Sequence, residues 1–166
     1  MFFIFVIYLF LSVGCSQESN NIKRAWFETK EEAIKHGLKE EGRNRKTLLS
    51  IQEIDNETIV IYEFNSSLGI ASLTKGDKGF SWFRGKPYLD LAGEEIPYST
   101  AWFEYETESG LKIPILIGKA FDESIIKMKL IEKRVERELN IIENSRWFFE
   151  IDTSPYSSME VIPINK

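Results

Sequence analysis

The chain has 166 residues, a formal charge of −5 and one cysteine, and these features exclude several broad classes of protein. Acidic and basic residues are interspersed, which argues against a broad basic face for nucleic acid. No disulfide can form within the chain, so the fold must depend on its hydrophobic core alone.

The N-terminal residues 1–13 are apolar apart from Tyr8 and Ser12, and the first charged residue is Glu18. A membrane-spanning helix needs about twenty apolar residues, whereas a run of this length is typical of a secretory signal. We therefore predict a signal peptide over residues 1–14. The alternative is a short uncleaved anchor with an incidental cysteine, which predicts the same compartment.

The boundary Leu11-Ser12-Val13-Gly14-Cys15 resembles a bacterial lipobox. The resemblance implies that Cys15 carries a diacylglyceryl group, and two acyl chains would anchor the protein stably to the outer face of the cytoplasmic membrane. Exported domains without disulfides are ordinary in Gram-positive bacteria. Residues 15–24 then form the lipidated cysteine and a polar tether, and residues 25–166 form a single β-rich globular domain.

The first predicted element is a helix over residues 30–41, because Thr29 and Glu32 match a capping box and Gly42 supplies a stop. Its apolar positions form one narrow stripe, so the helix is expected to pack on a sheet. The stripe consists of Ala33, Ile34, Gly37 and Leu38.

Downstream of Gly42 the hydrophobic pattern changes to alternation, which predicts strands. Residues 47–54 and 57–64 flank Asp55-Asn56, a two-residue hairpin turn. Residues 68–74 and 80–83 form a second hairpin with a longer loop. Residues 84–97 are rich in glycine and proline and predict a loop.

Two strands, 100–107 and 111–121, follow that loop, and Pro114 predicts an edge position or a bulge in the second of them. Short strands at 147–151 and 159–164 close the chain. The segment 122–143 fits either a long amphipathic helix or a strand hairpin.

Several of these segments are similar to those of small uncharacterised lipoproteins of Bacillus-type Gram-positive bacteria, over most of the mature chain. The resemblance implies a lipoprotein address and an extended conformation after Gly118, so strands are favoured over a helix in 122–143. It implies no activity. The segments that carry it are Glu31-Glu32-Ala33-Ile34-Lys35-His36-Gly37-Leu38, Ile115-Leu116-Ile117-Gly118, Asp122 with Ile125 and Ile126, and Trp147-Phe148-Phe149.

Few residues indicate chemistry. His36 is the only histidine, so a conventional zinc site and a Ser-His-Asp triad are both disfavoured, and no phosphate-binding loop or other cofactor motif is found. We predict no catalytic residues, no metal and no cofactor. The cluster Arg43-Asn44-Arg45-Lys46 is interpreted as a solvated loop in preference to an anion site.

Aromatic residues give the best candidate for a binding surface, because each of the four tryptophans is followed by phenylalanine. On a strand, such a pair places one ring on each face of the sheet. Rings are usually core, but exposed ones could stack on glycan or contact a protein. The candidate surface consists of Trp82, Phe83, Trp102, Phe103, Trp147 and Phe148.

These features together predict an α+β domain with one N-terminal helix packed on an antiparallel, meander-like sheet or a small β-sandwich. The preferred function is a non-catalytic surface lipoprotein that binds an envelope protein or a wall glycan. The alternative is a glycosidase-like envelope hydrolase that uses loop carboxylates near Asp90, Glu94 and Glu95.

Overall fold

The computed structural model describes residues 24–91, 93, 95–151 and 159–166. The predicted signal peptide, Cys15 and the tether up to residue 23 lie outside the described residues. The described residues form α1 (Lys30–Glu40), a short 3-10 helix (Arg45–Thr47) and ten strands. The strands are β1 (Leu48–Ile54), β2 (Glu57–Phe64), β3 (Ser67–Gly76), β4 (Gly79–Phe83), β5 (Tyr98–Glu106), β6 (Lys112–Ala120), β7 (Ile125–Glu132), β8 (Val135–Asn140), β9 (Trp147–Ile151) and β10 (Met159–Asn165).

The capping box predicted for α1 is present. The Thr29 hydroxyl accepts from the backbone N–H of Glu32 at 3.2 Å, and the Glu32 carboxylate accepts from the backbone N–H of Thr29 at 3.4 Å. These bonds satisfy two of the otherwise unpaired donors at the helix start. The helix ends at Glu40, with Glu41 as its C-cap residue and Gly42 at a φ of +70°.

The strands form three antiparallel sheets. Sheet 1 has the order β1-β2-β3-β4, sheet 2 has the order β5-β6-β9, and sheet 3 has the order β10-β7-β8. This arrangement confirms the predicted α+β class with a helix packed on an antiparallel sheet.

Three hydrophobic clusters show how the layers stack. Ala33, Ile34 and Leu38 of α1 pack with Val60 and Tyr62 on one face of sheet 1. The other face of sheet 1 packs on sheet 2, and the far face of sheet 2 packs on sheet 3. The order of layers is therefore helix, sheet 1, sheet 2 and sheet 3, and both faces of sheets 1 and 2 are covered.

The segment after Phe121 adopts the favoured hairpin of β7 and β8. Met128 and Leu130 point into the third cluster, while Lys127 and Lys129 pair with glutamates on β8. A helix would have required Val135 in its apolar stripe, yet Val135 is 60% exposed.

The prediction for Pro114 is corrected. β6 is the central strand of sheet 2, not an edge strand. Pro114 lies one residue beyond the last β6–β9 pair, which joins Ile115 to Ile151. At that position the proline does not interrupt the described β6–β9 ladder, which is the reason it is compatible with a central strand.

Three two-residue turns place both central residues at positive φ: Asp55-Asn56, Asn65-Ser66 and Lys133-Arg134. Such turns match the twist of the flanking strands and favour Asn and Gly. The hairpin of β3 and β4 is also tighter than predicted, because Gly76 pairs with Gly79.

The Lys133-Arg134 turn is the least suited by residue type, at φ values of +46° and +73°. Replacing the pair by Asn-Gly is expected to raise the free energy of unfolding by about 1 kcal/mol, because the new residues adopt this backbone with less strain. Urea unfolding would measure the change. Lys78→Asn, in a turn where the residue does not have positive φ, should change stability by less than about 0.5 kcal/mol.

Within the described residues, no helix has both the length and the apolar composition needed to cross a membrane.

Candidate functional site

A cleft of about 740 Å³ lies between the C-terminal half of α1 and strand β4. It is open to solvent, and its wall combines aromatic rings with carboxylates. Its lining residues are Arg24, Ala25, Phe27, His36, Gly37, Glu40, Glu41, Ser81, Trp82 and Glu108. We refer to this feature as the α1–β4 cleft.

Glu41 is the most constrained carboxylate in the cleft wall, and its side chain is only 11% exposed. The Tyr62 hydroxyl donates to it at 2.7 Å, the Tyr88 hydroxyl donates to the same oxygen, and the Trp82 Nε1–H donates at 3.2 Å. The Nε of Arg84 forms an ion pair with it at 2.9 Å. Glu41 therefore attaches the end of α1 to strands β2 and β4 and to the loop after β4.

These contacts set the protonation states in the wall. Burial alone would raise the pKa of Glu41, but the hydrogen bonds from Tyr88, Tyr62 and Trp82, with the charge of Arg84, hold it below its usual range. Burial and the Glu41 carboxylate raise the pKa of Tyr62 well above its usual range. At neutral pH Glu41 is therefore ionised and Tyr62 is protonated, so neither group is poised to transfer a proton.

The opposite wall is built around Arg24. Its Nε donates to the Ser81 hydroxyl at 2.8 Å, and its two terminal nitrogens donate to the Glu108 carboxylate. The hydroxyl of Thr74 also donates to Glu108. Arg24 thus ties the start of the described chain to sheet 1 and to the turn between β5 and β6.

The rings in the cleft are engaged in internal packing. A methyl group built on Gly37 would overlap the Trp82 indole, so the helix backbone lies directly against that ring. The Tyr62 ring is 5.6 Å from Trp82, and the Phe27 ring is 4.7 Å from His36. The cleft therefore offers carboxylates to a ligand more than open ring faces.

The predicted aromatic surface needs correction at two residues. Trp147 and Phe148 have no exposed surface: Trp147 lies in the cluster between sheets 1 and 2, and Phe148 lies in the cluster between sheets 2 and 3. They are buried because sheets 1 and 3 cover the two faces of sheet 2. Neither the Trp147 ring nor the Phe148 ring can therefore contact a binding partner.

The other four aromatic residues are partly buried. Trp102 packs against the third cluster and Phe103 against the first, so this pair spans sheet 2 as expected for neighbours on a strand. Trp82 lines the α1–β4 cleft, and the backbone carbonyl of Phe83 accepts from the Tyr105 hydroxyl at 3.3 Å. Of the six predicted residues, only Trp82 lines this cleft.

His36 also lines the cleft, with its Nε2 3.7 Å from the Glu40 carboxylate. In the part of the chain that the structure describes, no group of three or more His, Cys, Asp or Glu side chains could hold a metal ion.

The loop carboxylates of the hydrolase alternative lie elsewhere. Glu95 borders a smaller pocket of about 300 Å³ together with Asp122, while Asp90 is exposed and Glu94 lies outside the described residues. The backbone N–H of Ser124 donates to the Asp122 carboxylate at 2.8 Å and lowers the pKa of Asp122. A general acid for glycoside hydrolysis needs a raised pKa, so Asp122 is unsuited to that role.

Sequence reasoning missed most of the cleft wall. Glu41, Tyr62, Arg84, Arg24 and Glu108 carry no local motif, and their contacts join residues up to 84 positions apart. Of the lining residues, only Trp82 and His36 were candidates for chemistry or binding from the sequence. Comparison of the chain with protein-family models, with curated proteins and with solved structures gave no match.

Proposed function

We propose that this chain is a non-catalytic, lipid-anchored binding module of the cell envelope, and that the α1–β4 cleft receives a basic segment of an envelope protein. The anchor would be Cys15, on the outer face of the cytoplasmic membrane. The observation that carries the proposal is the cleft itself, which is large, open and bordered by fixed carboxylates.

The charges of the wall support a cationic ligand. Three carboxylates, Glu40, Glu41 and Glu108, border the cleft. Glu41 is paired with Arg84 and Glu108 with Arg24, so Glu40 is the carboxylate that a cationic ligand can meet. Glu40 is the most accessible, with 68% of its side chain exposed. A lysine or arginine side chain could place its apolar stem along Phe27 and its charge at this rim.

A protein partner is favoured over a wall glycan because of the rings. Sugars are held by stacking on an open aromatic face, and the Trp82 ring is packed against Gly37 and lies close to Tyr62. The hydrogen-bonding groups of the cleft would therefore have to hold a sugar without an open aromatic face on which it could stack.

The tether would keep the cleft near the bilayer. Residues 16–23 separate Cys15 from Arg24, which is itself a lining residue. At no more than about 3.5 Å per residue, this segment holds the cleft within about 30 Å of the lipid surface. The partner is then a membrane-proximal protein.

Metabolic labelling with an acyl probe tests the anchor. The wild-type protein should incorporate the label and fractionate with membranes, whereas Cys15→Ala should lose both properties, because the thiol is the attachment point. Labelling and membrane attachment that persist in Cys15→Ala would contradict the proposed anchor.

Site-specific crosslinking tests the cleft. A photoreactive residue at Ala25 should capture an envelope protein through a peptide rich in lysine or arginine, and one at the exposed Glu136 on sheet 3 should not. Ala25→Trp should fill the cleft and abolish capture by a probe at His36, which also lines it, whereas Glu136→Trp should not. Equal capture from both surfaces, or capture that survives Ala25→Trp, would count against the cleft as the binding site.

A further inference from the structure

A second surface lies beyond the end of α1 and adjoins the α1–β4 cleft at Glu41. The guanidinium of Arg43 lies 3.6 Å from the centroid of the Phe64 ring. Phe64 is stacked on Tyr88 with 4.2 Å between ring centroids and 17° between planes. The guanidinium of Arg84 lies 4.7 Å from the Tyr88 centroid. We call these four residues the stacked ladder.

Other cations lie beside the ladder in sequence. Arg45 and Lys46 follow Arg43, Lys86 follows Arg84, and all three are exposed. Among the described residues, no carboxylate is within ion-pair distance of Arg43, Arg45, Lys46 or Lys86. Such a group of cations without acidic partners contrasts with the formal charge of −5 on the whole chain.

Helix geometry explains only part of this arrangement. A cation just after the C-terminus of α1 is favoured by the helix dipole, and this accounts for Arg43. It does not account for Arg84, which reaches the stack from the other side of Tyr88 while its Nε is held by Glu41. The ladder joins two loops that are distant in sequence and presents a guanidinium at each end.

The ladder suits phosphate groups. A guanidinium stacked on a ring is held in a fixed orientation, with N–H groups at its edge that match the oxygens of phosphate. Arg43 donates from one nitrogen to the Asn65 side chain at 3.3 Å. Arg84 donates from Nε to Glu41 and from Nη1 to the Lys86 carbonyl, both at 2.9 Å, so fewer of its donors remain for a phosphate. Because the two guanidinium groups lie at opposite ends of the stack, they would meet different phosphates.

We propose that the stacked ladder, with Arg45 and Lys46, binds a linear polymer that carries repeating phosphate groups. Guanidinium groups at the two ends of the stack can bind phosphates that are spaced along a chain, and Arg45 and Lys46 add exposed positive charge. The ladder shares Arg84 and Tyr88 with the Glu41 network of the cleft wall. Its test variants are at Arg43, Arg45 and Lys46, which do not line the cleft, so each proposal can fail without the other.

Calorimetric titration of the full chain in neutral detergent micelles tests the proposal, with linear inorganic polyphosphate as the probe. The wild type should bind polyphosphate with an affinity that falls as salt rises. Arg45→Gln with Lys46→Gln should weaken binding about fivefold for each cation, or about 25-fold together. Arg43→Lys keeps the charge but loses the planar stack, and should weaken binding several-fold.

The matched control is Lys75→Gln with Lys78→Gln, which removes two exposed cations from the β3–β4 hairpin. It should change affinity less than about twofold, because those residues are remote from the ladder. The proposal is overturned if the wild type does not bind polyphosphate, if the control pair weakens binding equally, if Arg43→Lys binds like the wild type, or if only phosphatidylglycerol vesicles are bound. Thermal unfolding of each variant confirms that it is folded.

Discussion

Replacing Glu41 by glutamine is expected to lower the free energy of unfolding by about 2–3 kcal/mol. The glutamine keeps the size of the side chain but removes the charge that pairs with Arg84, and its NH₂ group meets donors where the carboxylate accepted. The contacts at stake join α1 to sheet 1, so the loss should appear as weaker docking of the helix. Urea unfolding followed by circular dichroism would measure it.

The stability lost in Glu41→Gln should depend on pH in a defined direction. The pKa of Glu41 is lowered in the folded protein. Its stabilising contribution is therefore complete above the pKa of an unfolded glutamate and is lost as the pH falls through the lower, folded value. The difference between wild type and Glu41→Gln should be largest at neutral pH and should shrink in acid below about pH 4.

The neighbouring residue supplies the control. Glu40 is on the same helix and largely exposed, so Glu40→Gln should change stability by less than about 0.5 kcal/mol. If the two substitutions had equal effects, or if the effect of Glu41→Gln did not vary with pH, the network would contribute little to stability.

Structural elements that depend on interactions between residues close together in the chain could be predicted from the sequence. The capping box at Thr29 and the Asp55-Asn56 turn depend on residues two or three positions apart, and both are present. The alternation of Met128 and Leu130 with Lys127 and Lys129 is compatible with β7, but helical spacing of apolar residues fits the same segment, so the pattern alone does not decide between the two.

The stacking of three sheets could not be predicted in the same way. It depends on pairings such as β6 with β9 and β7 with β10, and on which face of each sheet the next layer covers. Alternation indicates that a strand has two different faces but not what lies against each face. Consequently Trp147 and Phe148 were assigned to a surface, although sheets 1 and 3 enclose them.

Of the candidate cleft, only Trp82 and His36 stand out in the sequence. The network around Glu41 brings together a helix end, a strand and a loop, and no spacing rule links Glu41 to Tyr62, Arg84 or Tyr88. A charged residue just before a helix stop looks like a solvated one in sequence. Its burial follows from the packing of α1 on sheet 1, which only the three-dimensional fold defines.

Replacing Gly37 by alanine is expected to lower the free energy of unfolding by about 2 kcal/mol, opposite in sign to the usual effect in a helix. In an exposed helix, alanine in place of glycine gains about 1 kcal/mol. At Gly37 the added methyl group would overlap the Trp82 indole, and overpacking of this kind costs about 1–3 kcal/mol. Chemical denaturation of the variant would give the change in stability.

A second substitution identifies the cause. In a Trp82→Leu background the indole is gone, so Gly37→Ala should lose most of its penalty and could become stabilising. The coupling between the two changes then measures how tightly α1 lies on Trp82. An equal penalty in both backgrounds would mean that another contact, and not the indole, requires glycine at this position. In that case Trp82 would be freer to meet a ligand than its packing indicates, and the argument against a stacked sugar in the α1–β4 cleft would weaken.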